Sequence, residues 1–401
     1  MSARDGAIAF LCPVAPSDRG NGLAMRAGLF LEGLASVAPV ELVVVPIYTA
    51  PLGGDAFAAR HAHARWTPTL AGPQDRDWIT GMLATAAGRQ RAGALHPLPG
   101  VCRHPDAASR ARLDELLARV GLVHVMRSFL TPWVDGLLDR AGRPPVTLDF
   151  DELDSGVCAQ LGEAEEARRF ARLERSCARR VDQSYTASAA DALAIGQDPA
   201  AAPVGVVPNA VRRPAAPPPP PDGAGPSYDL LFVGNLSYAP NVDAVRWLCG
   251  ELRSRLGGAS IAIVGSAPGA AVRSLGELDG VTVAADVAEV AGWYAAARVA
   301  VVPLRLGGGT RTKIVEALAH GRPVVSTTLG ASGLPSGEER GVLVTDDADA
   351  FAAACRALLG DPGRARRVAA AGRPHVVWAD DVREVVAART RAVIARHRSG
   401  S

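Results

Sequence analysis

Val299-Ala300-Val301-Val302-Pro303-Leu304-Arg305-Leu306-Gly307-Gly308-Gly309-Thr310-Arg311-Thr312-Lys313-Ile314-Val315-Glu316 reads as a short β-branched strand, a glycine-rich loop and the start of a helix. Strand, loop and helix in that order form the unit from which doubly wound parallel sheets are repeated. Lys313 is the only lysine among 43 basic residues. Arginine serves wherever a plain positive charge suffices, so one ammonium beside three glycines marks a position that wants a compact point charge. Glycines let a ligand approach the backbone closely, and a helix N-terminus presents unpaired amides with roughly half a positive charge. Arg311 and Lys313 in that first turn oppose the helix dipole unless an anion lies between them, which fits a phosphate. The competing reading is structural: a left-handed turn, Thr310 as N-cap, and Lys313 paired with Glu316 at i,i+3.

Outward from this stretch the alternation repeats. Asp229–Val233, Ser260–Gly265, Val281–Val283, Pro323–Ser326 and Gly341–Val344 read as strands, separated by helical patterns at Val242–Arg255, Val287–Ala297, Thr310–His320 and Asp346–Leu359. Earlier in the chain Ala7–Leu11, Val40–Pro46, Leu122–Met126, Val146–Phe150 and Val204–Val207 alternate with Gly22–Val37, Pro132–Arg140 and Glu163–Val181, while signals between Val37 and Val120 are weak. Pro217 to Pro221, with Gly223 and Gly225, can enter neither helix nor ladder. The sequence thus predicts an α/β chain of two doubly wound Rossmann-like domains at 1–211 and 228–375. A linker at 212–227 joins them, and a C-terminal helix at 376–401 is expected to return to the first domain. Such sheets bind ligands at the carboxyl ends of their strands, so the pair is expected to face a cleft. Gly234, Asn235 and Arg127 lie at such ends.

With 401 residues and 48% apolar content the chain can build two full cores. A net charge of +2 supplies no general field for nucleic acid. Six cysteines, scattered without a Cys-x-x-Cys pair, argue against zinc and against a disulfide framework, and fit reduced thiols in the cytoplasm. No apolar run nears the roughly 20 residues that cross a bilayer. His61-Ala62-His63 lacks carboxylate or thiol company, so no metal is expected there, and with no Gly-x-Ser-x-Gly elbow or Walker loop the hydrolase and P-loop readings fall away.

Several ordered motifs resemble the nucleotide-sugar domain of GT-B glycosyltransferases, specifically the retaining family four (glycosyl transferases group 1). They are Phe232-Val233-Gly234-Asn235-Leu236-Ser237-Tyr238-Ala239-Pro240-Asn241-Val242-Asp243-Ala244, Ile261-Ala262-Ile263-Val264-Gly265, and Val302-Pro303-Leu304-Arg305 through Glu316-Ala317-Leu318-Ala319-His320-Gly321-Arg322-Pro323-Val324-Val325-Ser326-Thr327. The first half is similar through Arg19-Gly20-Asn21-Gly22, Asp149-Phe150-Asp151-Glu152-Leu153-Asp154-Ser155 and Val207-Pro208-Asn209-Ala210, in the manner of the polysaccharide-building subgroup. The resemblance implies transfer of a sugar from a nucleotide diphosphate sugar to a hydroxyl acceptor (glycan, lipid-linked or small molecule), with retention and without a metal or other cofactor. It implies that Glu316 binds the donor ribose, that the amides of Gly307, Gly308, Gly309 and Thr310 hold the diphosphate, and that Arg311 and Lys313 neutralise the leaving group. Gly234 and Asn235 would lie along the donor, Asp286 and Val287 near its base, and Gly20, Asn21, Gly22 and Asp151 on the acceptor side. Two departures stand out. Gly308 occupies the place of a frequent second glutamate, and Met126 the place of a histidine beside the reacting sugar. His124 lies too far back on its strand for that role, which leaves Arg127 or the donor phosphate itself, or else an inactive nucleotide-binding or partner-binding protein.

Two further constellations compete. Arg168, Arg172, Arg175 and Arg179 fall on one stripe of the Glu163–Val181 helix, either a solvated basic face or a peripheral contact with anionic lipid at the inner face of the membrane. Asp149-Phe150-Asp151 at a strand end could hold a divalent metal on a diphosphate, as in GT-A glycosyltransferases. Transfer assayed with EDTA separates the readings: the metal-free one expects no change, whereas the Asp149/Asp151 metal reading expects a loss that manganese restores.

Overall fold

The computed structural model describes residues 6–20, 22–47, 54–71, 90, 95–214, 228–307 and 312–400. The chain divides into two compact units, one of Met1–Asp18, Leu23–Pro208 and Asp380–Ser401, the other of Arg19–Gly22 and Asn209–Ala379. Most of the proline-rich 212–227 stretch lies outside the described residues.

Seven parallel strands form the first sheet: β1 (Ile8–Cys12), β2 (Val40–Val44), β3 (Ala64–Trp66), β4 (Leu122–Met126), β5 (Val146–Asp149), β6 (Gln183–Thr186) and β7 (Val204–Val206). Their order is β3-β2-β1-β4-β5-β6-β7, so the winding reverses between β1 and β4. Both of these strands are buried along their whole length, the signature of a sheet covered on two faces. The sequence reading missed β6 because Gln183, Ser184 and Thr186 carry no apolar run; Thr186 instead satisfies its hydroxyl by donating to the Ser188 carbonyl at 2.8 Å. The helical pattern at Pro132–Arg140 resolves into a 3₁₀ turn at Ser128–Trp133 and a single turn at Asp135–Leu138, since Pro132 cannot supply an amide inside a longer helix.

Helix Gly22–Ala35 presents one arginine inside an apolar run, and Arg26 is almost fully buried. Its Nε and Nη2 donate to the two carboxylate oxygens of Asp149 at 2.7 and 2.6 Å, and Nη1 donates to the Val207 carbonyl at 2.8 Å. One guanidinium thereby ties the first helix, the end of β5 and the segment after β7. The last helix, Ala379–Gly400, belongs to the same unit. It runs so close to the first that a Cβ on Gly33 would lie 2.6 Å from Val386, and its Arg396 donates to Gln183 at 3.1 Å.

Six parallel strands form the second sheet: β8 (Tyr228–Val233), β9 (Ile261–Gly265), β10 (Val281–Ala285), β11 (Ala297–Val302), β12 (Val324–Ser326) and β13 (Val342–Val344). They run in the order β10-β9-β8-β11-β12-β13, with the reversal between β8 and β11. The pattern read over Val242–Arg255 is a helix at Ala239–Trp247 that continues through a π turn and a 3₁₀ turn to Arg255.

Replacing Arg26 with Ala strands the buried Asp149 carboxylate and should cost about 3–5 kcal/mol. Adding Asp149→Asn should recover part of the loss. Amide exchange at β4 and β5 reads this directly; protection unchanged by Arg26→Ala would refute the role given to the pair.

Candidate functional site

The reversal between β8 and β11 opens a crevice at the carboxyl ends of these strands, where doubly wound sheets take their ligands. Helix Thr312–Ala319 follows β11 and sends Lys313 back across it. The Lys313 Nζ donates to Asn241 Oδ1 at 2.6 Å and sits 4.3 Å from the centroid of the Phe232 ring, the penultimate residue of β8. Gly234, one residue beyond the strand, faces this group: a Cβ there would lie 3.1 Å from Nζ. Glu316, the i,i+3 partner in the competing structural reading, hydrogen-bonds another side chain. Glu316 accepts from the hydroxyl of Tyr294 at 3.1 Å, and Tyr294 stacks in parallel on His320 at 4.9 Å.

Burial pushes the Glu316 carboxyl up to about 7, against the opposing pull of the Tyr294 hydrogen bond and the Lys313 charge. Burial and the adjoining carboxylate hold the Tyr294 phenol well above its ordinary value, so it is a donor at neutral pH. The His320 imidazole is pushed down by burial and by Arg322. A half-buried carboxylate poised near neutrality beside a fixed ammonium is equipped to accept hydrogen bonds from hydroxyls while the ammonium meets an anion.

Asn235 keeps its side chain for a local turn, accepting from the Ser237 amide at 2.9 Å and hydroxyl at 2.8 Å. Asp286 follows β10 with φ +52, and its carboxylate accepts from the Ala267 amide at 2.8 Å; Val287 beside it is half-buried. Gly307 takes φ +107, a conformation that favours glycine. Gly308, Gly309, Thr310 and Arg311 lie outside the described residues, as does Asn21. Gly20 is exposed with φ +97, and Gly22 opens the first helix. Sequence reasoning missed Asn241 and Tyr294, because each meets its partner only through the fold.

At the carboxyl edge of the first sheet, Arg127 follows β4 with φ +73 and is buried. Its guanidinium lies 3.2 Å from Asp151 and 3.6 Å from Glu152 and donates to Asp154. Asp151, with φ +62, also lies 3.4 Å from Arg26. Burial raises the Asp151 carboxyl, and it lifts Asp154 to about 6 despite the Arg127 charge. Asp149 and Asp151 are therefore spent on two guanidiniums, and a cation approaching the pair would meet Arg26 already in place. The fold of two parallel doubly wound sheets corrects the GT-A part of the Asp149/Asp151 reading. Among the described residues no group of three His, Cys, Asp or Glu side chains is arranged to hold a metal. His124 is buried with Nδ1 2.7 Å from the Thr147 hydroxyl and its ring stacked 4.6 Å from Phe30. Burial pushes its pKa down to about 3, which makes it a neutral packing residue, as its place on the strand implied. On the basic stripe Arg168 pairs with Glu165 at 2.7 Å and Arg179 with Asp198 at 2.6 Å, while Arg172 is half-buried and Arg175 exposed. Among the described residues no helix is long and apolar enough to cross a membrane.

Residues 227–361, spanning the whole second sheet, match the family model described as glycosyl transferases group 1. The match lies within the second unit. Comparison with curated proteins finds none that matches this chain. Solved structures match it in fold over nearly the whole length. Sucrose-phosphate synthase from Thermosynechococcus elongatus is 17% identical with a TM-score of 0.70, over 98% of this chain and 100% of that one. HepE from Anabaena, determined with UDP-glucose, is 14% identical at 0.69, over 96% and 99% of the two chains. TarM from S. aureus, determined with fondaparinux, alpha-GlcNAc-glycerol and UDP, is 8% identical at 0.66, over 97% and 99%. The architecture of two parallel doubly wound sheets is that of GT-B glycosyltransferases, as the sequence motifs implied.

A carboxyl raised from 4.5 to about 7 by folding costs stability that grows as pH rises through that window. Glu316→Gln should therefore stabilise the ligand-free second unit at pH 8, by no more than about 3 kcal/mol, and much less at pH 5. Thermal unfolding at the two pH values checks this; a variant equally stable or less stable at pH 8 would contradict the buried-carboxylate account.

Proposed function

We propose that this glycosyltransferase moves a sugar from a nucleotide diphosphate sugar to a hydroxyl acceptor with retention at the anomeric carbon. The observation that carries the reading is the Lys313 ammonium held at the reversal of the second sheet, with Glu316 one turn further along the same helix. In this reading Glu316 accepts from the ribose hydroxyls, Tyr294 orients its carboxylate, and Lys313 stands beside the diphosphate. The Gly307 loop amides and Arg311 complete the anion site on residues beyond those described.

As the bond from the anomeric carbon to the β-phosphate oxygen breaks, negative charge grows on the departing nucleoside diphosphate, and a fixed ammonium stabilises that charge without rearranging. The acceptor oxygen forms the new bond on the same face, and its proton passes to the departing phosphate oxygen. Lys313 supplies the cationic charge that a metal would otherwise bring, which supports a metal-independent and cofactor-free reaction. Arg127 takes no direct part, because three carboxylates already surround its guanidinium. The ligands named for HepE and TarM support UDP as the nucleotide and a glycan or small hydroxyl acceptor. With Arg168 and Arg179 paired, the basic stripe adds only Arg172 and Arg175 to any attraction for an anionic surface or a lipid-linked acceptor.

Lys313→Ala should lower kcat by about a hundredfold or more, the usual scale for one preorganised donor, with thermal stability retained. Lys313→Arg should not rescue it, because a planar fork cannot take the place of a compact ammonium between Asn241 and Phe232. Donor hydrolysis over a panel of nucleotide sugars reads both variants. Wild-type kinetics in both would refute the assignment, and no turnover of any donor by the wild-type chain would leave a nucleotide-binding protein without catalysis.

A further inference from the structure

Asn241 opens no obvious role in the sequence, yet two of its contacts converge on the crevice. Its Nδ2 donates to the Asn235 carbonyl at 2.7 Å and its Oδ1 accepts from Lys313 at 2.6 Å. These partners demand opposite ends of the amide. Flipped, its NH2 would face an ammonium and its oxygen a carbonyl, so the orientation is settled by the neighbours. The side chain is buried at 6% exposure, and the Asn235 carbonyl that anchors it is pinned by the turn through Ser237. Gly234 completes the arrangement, because a Cβ there would lie 2.9 Å from Asn241 Nδ2 and 3.1 Å from Lys313 Nζ.

An aspartate at 241 would also bind the ammonium, and more strongly, but it would cancel the charge that an anionic ligand needs. An amide oxygen and an aromatic face hold the ammonium while adding no negative charge. We infer that Asn241 is a positioning residue for the diphosphate subsite: across the space left by Gly234, it aims the Lys313 ammonium into the β8–β11 crevice and preserves its charge. This rests on the reading of Lys313 as the cation that meets the diphosphate.

The test is calorimetric binding of UDP, UMP and uridine, and of GDP, GMP and guanosine, to the full-length chain. It compares wild type, Lys313→Ala, Asn241→Asp and Gly234→Ala, with melting temperatures recorded for each. Asn241→Asp should weaken the diphosphate by about tenfold or more, the monophosphate less, and the nucleoside by less than about twofold. Gly234→Ala, which leaves the amide chemistry intact but crowds the ammonium, should show the same ranking and carries the test if Asn241→Asp fails to fold. Diphosphate affinity lost in Lys313→Ala but kept in the other two overturns the inference alone. Equal losses for nucleoside and diphosphate also overturn it, since they mark a general packing role. Unchanged affinity in Lys313→Ala, or a wild-type chain that binds neither nucleotide series, overturns the underlying reading as well.

Discussion

An ammonium partly withdrawn from water must recover hydration from its neighbours, and two that hold Lys313, an amide oxygen and the face of a phenyl ring, bring no opposing charge. The rest of the second unit is arranged around that constraint. The reversal of strand order sets β8 beside β11, Gly234 removes the side chain that would crowd the ammonium, and the Asn235 carbonyl holds Asn241, the acceptor of the ammonium, in place. Glu316, one turn along the helix, accepts from the Tyr294 hydroxyl while still feeling the Lys313 charge.

The first unit handles its cations in the opposite way. Arg26 and Arg127 are buried among Asp149, Asp151, Glu152 and Asp154, and their charges are matched or exceeded by carboxylates. Such a cluster locks strand ends together but leaves little field for an incoming anion, and burial raises the carboxyls of Asp151 and Asp154 despite the guanidiniums beside them. Two sheets of the same winding thus differ in how they hold these cations: Lys313 on an amide oxygen and a ring face, Arg26 and Arg127 on carboxylates.

What was legible in the sequence follows from how local each signal is. The stretch from Val299 to Glu316 announced strand, loop and helix because apolar periodicity, glycines and the isolated lysine all sit within a few turns, and the structure places β11 and helix Thr312–Ala319 there. β6 escaped because a buried strand built from Gln183, Ser184 and Thr186 has no hydrophobic pattern to read. Asn241 escaped because its partner lies 72 residues further along the chain, and an asparagine near a helix start looks like ordinary helix-entry chemistry. Arg26 offered a signal that went unused: a guanidinium in the middle of an apolar helix requires a buried acid, and Asp149 was that acid before it was a candidate for metal.

The most direct measurement is a crystal structure of the chain soaked with UDP or GDP. The account predicts the diphosphate at the carboxyl ends of β8 and β11, within hydrogen-bonding distance of the Lys313 ammonium, with the ribose hydroxyls on Glu316 and Asn241 still bound to Lys313. A nucleotide lodged elsewhere, with the Lys313 crevice empty, would contradict it.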